Sequence, residues 1–163
     1  MRAARDARYP NLFSQKATDA RWIGDLAERL LRDWMWTQTL RDVEWLTEDA
    51  AGRADFVIDE SVSVGAKTVK RQAAPKLDYT AQVSARHAKE PSDWFFFMNY
   101  CLASRQLWLL GAIESERFLS EANYFGPGDK VHDNYTIREG HEIYNLALTK
   151  LITPAHWART VLH

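Results

Sequence analysis

The hydrophobic positions of residues 18–37 repeat with the period of an amphipathic helix, which predicts a helix with one buried face. Either Thr18 or Asp19 can cap its first turn. Glu28 lies at the border of the apolar stripe rather than on the fully solvated side. The apolar residues that share the predicted buried face are Ile23, Leu26, Leu30, Leu31 and Trp34.

Segments with the composition of β-strands follow this helix. Residues 54–59 and 61–69 are rich in β-forming residues, and Asp59-Glu60 between them predicts a hairpin turn. Two later segments are dense apolar runs, as expected of central strands that are covered on both faces. In addition to the two hairpin strands, the predicted strands are residues 41–47, 78–86, 93–100 and 105–113.

Helical patterns return at residues 115–123 and 139–151, and Gly126-Pro127-Gly128-Asp129 between them predicts a turn. A helix, a block of strands and then helices indicate an α/β (α+β) domain with a central mixed sheet flanked by helices. Neither a repeat nor a low-complexity linker divides the chain. Residues 1–163 are therefore predicted to form a single domain, with residues 1–17 as an N-terminal arm.

The composition limits the class of protein without identifying it. A formal net charge of -1 means that any nucleic-acid-binding surface has to be local. The single cysteine, Cys101, cannot form an intramolecular disulfide, which favours a reducing compartment. No apolar run is long enough to cross a bilayer, and no hydrophobic signal region follows the basic N-terminus, so we expect a cytoplasmic protein without a membrane partner.

An acid and a lysine occupy the two strands of the predicted hairpin. Asp55 lies early in the first strand and Lys67 near the end of the second, and adjacent strands are only a few ångströms apart. Gly65 and Lys67 share one face of their strand, whereas Ala66 points away and can offer its backbone carbonyl. A carboxylate-held divalent cation beside a lysine is suited to phosphodiester hydrolysis. The five histidines lack zinc-site spacing.

This arrangement resembles the core of the PD-(D/E)xK nuclease superfamily, which has the restriction-endonuclease-like fold, over about residues 19–113. The resemblance implies that Asp55 binds Mg²⁺ or Mn²⁺ with help from the carbonyl of Ala66, and that Lys67 is catalytic. Gly65 stands where the superfamily has its second acidic residue. The chain therefore departs from the motif at a position that normally binds the metal.

Two further positions follow from the same resemblance. Members of the superfamily often carry a glutamate on the helix before the sheet, which makes Glu28 the best substitute as a catalytic and metal-binding carboxylate. Gln82, on the following strand, is where some members add a polar site residue. The implied activity is a metal-dependent deoxyribonuclease, of a kind found in phages and mobile elements; DNA is favoured as the substrate, and RNA stays open. Many such small nucleases are homodimers, and the oligomeric state stays open.

Four basic residues are candidates for sequence-independent contacts with phosphates of the nucleic acid. They are Lys70, Arg71, Arg86 and Lys89.

Each candidate residue also has a purely structural interpretation. Asp55 can be an acid at a strand edge, Lys67 can belong to a solvated strand end, and Glu28 can pair with Arg32 one helical turn later. Without a carboxylate that compensates for Gly65, the fold would survive as a catalytically inactive protein that binds nucleic acid or a protein partner. An unrelated α+β binding domain, in which the motif is accidental, is the third alternative.

Overall fold

The structure is a computed structural model that describes residues 21–39, 41–46 and 54–163. The predicted arm at residues 1–17 and the predicted caps Thr18 and Asp19 lie outside the described residues. The α-helices of the described part are α1 (Arg21–Gln38), α2 (Ser115–Glu121) and α3 (Pro154–Val161), with single 3₁₀ turns at His87–Lys89 and Leu148–Lys150. The strands are β1 (Val43–Trp45), β2 (Phe56–Ile58), β3 (Val62–Arg71), β4 (Thr80–Ser84), β5 (Trp94–Cys101), β6 (Gln106–Glu114), β7 (Asn123–Phe125), β8 (Lys130–His132), β9 (Tyr135–Thr136) and β10 (Ile143–Ala147).

A mixed five-stranded sheet forms the centre of the fold, with strand order β1-β2-β3-β5-β6. β3 and β5 are parallel, and the other neighbours are antiparallel. A smaller antiparallel sheet has the order β4-β10-β7, and β8 and β9 form a separate two-stranded ribbon. The predicted α+β class with a central mixed sheet is therefore confirmed.

The hairpin between β2 and β3 turns at the two residues that the sequence predicted. Asp59 and Glu60 have φ values of 47° and 56°, the left-handed conformation that tight hairpin turns require. The turn closes where the Ser61 amide donates to the Ile58 carbonyl at 3.1 Å. The carboxylate of Asp59 also accepts a hydrogen bond from the Asp42 amide at 3.0 Å, which joins the turn to the start of β1.

One face of the central sheet is covered by α1 and α3 and forms the helix-side core. Ala27, Leu31 and Met35 of α1 are fully buried at intervals of four residues, the spacing of one helical face. Leu30, predicted to lie on that face, is 42% exposed because the face centres on these three residues instead. The sheet contributes Phe56, Ile58, Val64, Phe96 and Met98 to this core.

The opposite face of the central sheet packs against β4, β10 and α2. Phe95 and Phe97 of β5 meet Phe118 of α2, with ring centroids 5.6 and 5.4 Å away. Successive side chains of a strand point to opposite faces, so the apolar run of β5 fills both cores at once. The smaller sheet contributes Ala81, Val83 and Leu146.

The predicted helix at residues 139–151 is wrong. Residues Ile143–Ala147 form β10, which pairs with both β4 and β7. Tyr144 and Leu146 pack into the core on this face of the central sheet at the spacing of two that is typical of a strand. The helix was predicted because Ile143, Leu146, Ala147 and Leu151 also fall at helical spacing. No helix of the described residues is both long and apolar enough to cross a membrane.

The sequence prediction missed helix α3, although its start carries a clear signal. Thr153 caps it by accepting a hydrogen bond from the His156 amide at 3.3 Å, and Pro154 occupies the first turn, where its missing N–H costs nothing. Trp157 of α3 is completely buried in the helix-side core. Its ring lies 5.1 Å from that of Phe96 and 6.4 Å from that of Trp34.

Replacing Trp157 by alanine is expected to lower the free energy of unfolding by about 3–5 kcal/mol, because it leaves a large cavity in the helix-side core. Urea denaturation measures this loss. Trp108→Ala is the matched control, since Trp108 is 43% exposed and its removal should cost much less. Equal losses in the two variants would contradict the assignment of α3 to the core.

Candidate functional site

Asp55 is fixed between β1 and β3, immediately before β2 begins. Its amide donates to the Val64 carbonyl at 3.0 Å, and its carbonyl accepts from the Leu46 amide at 2.9 Å. Its buried carboxylate accepts a hydrogen bond from the Ala66 amide at 2.8 Å through Oδ2. Asp55 therefore lies alongside β3, opposite the backbone that joins Gly65 to Lys67.

Lys67 leaves β3 on the face opposite to the helix-side core. Its neighbour Ala66 packs against the helix-side core, and alternation puts Gly65 and Lys67 on the other face. The Lys67 ammonium lies 3.3 Å from Oε2 of Glu90 and 5.3 Å from the centre of the Phe95 ring. Only 11% of the Lys67 side chain is exposed, so it does not belong to a solvated strand end.

Gly65 leaves no room for a side chain without adjustment. A Cβ atom there would lie 3.2 Å from Oγ of Ser92, 3.3 Å from the Phe95 ring and 3.4 Å from Cε of Lys67. Position 65 is therefore enclosed by Lys67 and by the chain that leads into β5.

Glu90 is the acidic residue that the sequence prediction missed. It follows the 3₁₀ turn His87–Lys89 in the connection from β4 to β5, and it forms the ion pair with Lys67. Nε2 of His87 lies 3.8 Å from its other oxygen, Oε1. The only sequence signal for Glu90 was its place in a charged segment before a dense apolar strand. Nothing local indicated that this strand runs parallel to β3, which is what brings Glu90 to Lys67.

Asp93 anchors the end of this connection to the start of β3. Its Oδ2 accepts hydrogen bonds from the amide and the hydroxyl of Ser63, both at 2.7 Å. The Asp93 amide also points back to Ser63, 3.0 Å from its carbonyl oxygen. These hydrogen bonds favour the charged carboxylate and lower the pKa of Asp93. The segment that carries Glu90 is thus tied directly to the strand that carries Lys67.

Glu28 occupies the helix side of the central sheet. It is 5% exposed, and its Oε2 accepts a hydrogen bond from the Trp45 indole at 3.2 Å. Trp45 packs against the helix-side core, whereas Lys67 points to the other face. The structure brings Glu28 next to β1, and the sheet separates it from Lys67. Arg32, the alternative partner of Glu28, pairs with Asp33 at 2.7 Å.

Gln82 does not approach Lys67. Its neighbours Ala81 and Val83 face the central sheet from β4, so Gln82 points to the far side of the smaller sheet, in register with Asn145. The expected role of Gln82 as a polar site residue therefore finds no support in its position.

The four basic residues divide into two groups. Lys70 is exposed on the helix-side face of β3, and Arg71 points to the other face, where its guanidinium stacks 4.5 Å from the Tyr79 ring. Arg86 and Lys89 are both exposed; Arg86 precedes the 3₁₀ turn that leads to Glu90, and Lys89 is its last residue. The second pair is the group that lies beside the Lys67–Glu90 ion pair.

The donor atoms beside β3 are hard oxygens of the type that Mg²⁺ and Mn²⁺ prefer. In a strand, the N–H and C=O of one residue point to the same side, so the Ala66 carbonyl lies on the side of its Asp55-bound amide. Such ions often take one or two carboxylates and keep several waters. Among the described residues, no three His, Cys, Asp or Glu side chains gather as a metal-binding group.

No protein-family model, curated protein or solved structure matches this chain.

Asp93→Asn tests the anchor through its pH dependence. A lowered pKa in the folded state means that the charged Asp93 stabilises the fold above its unfolded pKa of about 3.9. This contribution is lost as the pH falls through the lower folded value. The difference in unfolding free energy between wild type and Asp93→Asn, measured by urea denaturation, should therefore shrink below about pH 4. A difference that stays the same into strong acid would contradict the anchor.

Proposed function

We propose that the protein is a metal-dependent nuclease with a restriction-endonuclease-like fold that hydrolyses phosphodiester bonds in DNA. The observation that carries this proposal is the contact of Asp55 with the backbone amide next to Lys67, at 2.8 Å. Two neighbouring strands thus bring a buried carboxylate and a largely buried ammonium group to one part of β3. Helix α1 before the β2–β3 hairpin and the parallel β5 after it also agree with such a fold.

Asp55 and the carbonyl of Ala66 would hold Mg²⁺ or Mn²⁺ beside β3. Glu28, expected from the sequence as a further carboxylate, lies against Trp45 on the helix side and would not share a site with Lys67. When bound, the cation supplies charge stabilisation at the phosphate and acidifies water. Lys67 would hold the attacking water or stabilise the phosphate anion through its ammonium group. The low exposure of Lys67 strengthens this electrostatic effect, because solvent screens the charge less.

The phosphate backbone would be held by Arg86 and Lys89, which are exposed beside the site. Lys70 and Arg71 point to opposite faces of β3, so we expect them to contribute less to phosphate binding. Contacts of this kind give affinity that depends on salt rather than on base sequence.

A catalytically inactive protein of the same fold, which binds nucleic acid or a protein partner, is the second candidate. Two observations favour it: Gly65 lacks the acidic side chain, and no three metal-binding side chains cluster among the described residues. Calorimetric titration with Mn²⁺ separates the candidates, since only the nuclease requires cation binding that depends on Asp55.

Asp55→Asn and Lys67→Met are each expected to reduce DNA cleavage by at least about 100-fold, because they remove the metal ligand and the ammonium group. The assay uses labelled single-stranded, duplex and junction DNA, and RNA, with Mg²⁺, Mn²⁺ or EDTA. Lys76→Met is the control, since Lys76 is exposed in the connection from β3 to β4 and has no role in the proposed site. Circular dichroism checks that each variant is folded. Full cleavage in both variants would exclude the proposal.

The double variant Arg86→Ala/Lys89→Ala should weaken binding of every DNA sequence to a similar extent. The slope of log affinity against log salt is expected to fall by about 1–2, one unit or less for each lost phosphate contact. Fluorescence anisotropy at several salt concentrations measures this slope. The control variant Lys130→Ala/Arg138→Ala removes the same charge from exposed positions in and after the β8–β9 ribbon. Equal slopes in the two double variants would remove Arg86 and Lys89 from the interface.

A further inference from the structure

Among the described residues, the carboxylate that pairs with the Lys67 ammonium comes from outside the β2–β3 hairpin. Oε2 of Glu90 lies 3.3 Å from Nζ of Lys67, and the two side chains are only 21% and 11% exposed. We propose that Glu90 is the second carboxylate of the site, in the functional place of the acid that Gly65 lacks. This inference rests on the proposed nuclease function.

The surroundings of Gly65 explain why an acid from the loop can serve there. A Cβ atom on Gly65 would lie 3.4 Å from Cε of Lys67, so an acidic side chain at position 65 would begin beside the same lysine. Ser92, two residues after Glu90, is the nearest neighbour of that position at 3.2 Å. The connection into β5 thus encloses the place of the missing side chain and presents a carboxylate to Lys67.

The segment that carries Glu90 is anchored on both sides. Upstream, the His87 amide donates to Oγ of Ser84 at 3.2 Å at the end of β4. Downstream, Asp93 is hydrogen-bonded to Ser63 at the start of β3. A carboxylate held in this way loses little conformational freedom when it binds a ligand, which is a requirement for a precise site.

The two oxygens of Glu90 have different surroundings. Oε2 is engaged by Lys67, and this contact orients the lysine. Oε1 lies 3.8 Å from Nε2 of His87, beyond hydrogen-bonding distance, and within the described part of the chain it has no hydrogen bond. Oε1 is therefore the oxygen that Glu90 can offer to a divalent cation.

Calorimetric titration with Mn²⁺ tests the role of Glu90 on wild type, Asp55→Asn, Glu90→Gln and the double variant Gly65→Asp/Glu90→Gln. Glu90→Gln should weaken Mn²⁺ binding by at least about 10-fold, the lower end of what loss of a supporting group costs at metal sites. The double variant should recover part of that loss, because it returns a carboxylate to the side of Lys67. Glu116→Gln, an exposed acid on α2, is the control and should bind Mn²⁺ like wild type.

The outcomes separate this inference from the proposed function. If Asp55→Asn loses Mn²⁺ binding while Glu90→Gln retains wild-type affinity, Glu90 is not the second carboxylate and the nuclease proposal stands. If wild type binds no Mn²⁺ and cleaves none of the four nucleic acids, both fail. If the Glu90→Gln variant does not fold, Glu90→Asp is titrated in its place. It keeps the charge but shortens the side chain, so it should also weaken Mn²⁺ binding, and unchanged affinity would overturn the inference.

Discussion

The parallel pairing of β3 with β5 is the constraint on which the rest of the structure depends. It runs in continuous register from Val64↔Trp94 to Arg71↔Cys101. Parallel neighbours cannot be joined by a tight turn, so the chain after β3 has to travel back to the end of the sheet where β3 begins. It does so through β4, which becomes part of the smaller sheet. The return brings Glu90, Ser92 and Asp93 to the first half of β3.

The two faces of the central sheet differ in what they carry. On the helix side, Val64, Phe96 and Trp157 build an apolar core in which the carboxylate of Glu28 is held by the Trp45 indole. On the other side, Lys67 lies over Phe95 and meets Glu90. Asp55 lies between the two faces, immediately before β2 begins. Because the pairing of β2 with β3 ends at Val64, the Ala66 amide donates to the Asp55 carboxylate instead. The proposed chemistry is therefore concentrated where regular strand pairing stops.

Local sequence patterns predicted the elements whose signals are local. The β2–β3 hairpin with Asp59-Glu60 at its turn, helix α1 and the dense strands β5 and β6 are confirmed. Strand β10 was mistaken for a helix because its few apolar residues fit both periods, and its pairing with β4 and β7 decided the outcome. Glu90 could not be predicted, because its meeting with Lys67 depends on a crossover between strands. Glu28 was predicted at the border of the buried face, but the structure buries it, and nothing local indicated Trp45 as a partner.

A crystal of the protein soaked in Mn²⁺ and examined for anomalous scattering should show a peak about 2.1 Å from an Asp55 carboxylate oxygen and from the Ala66 carbonyl, the distance typical of small divalent cations. The second Glu90 oxygen should lie in the same coordination sphere. A peak bound elsewhere, or none at Mn²⁺ concentrations that support cleavage, would contradict the claim that Asp55, Lys67 and Glu90 form one catalytic site.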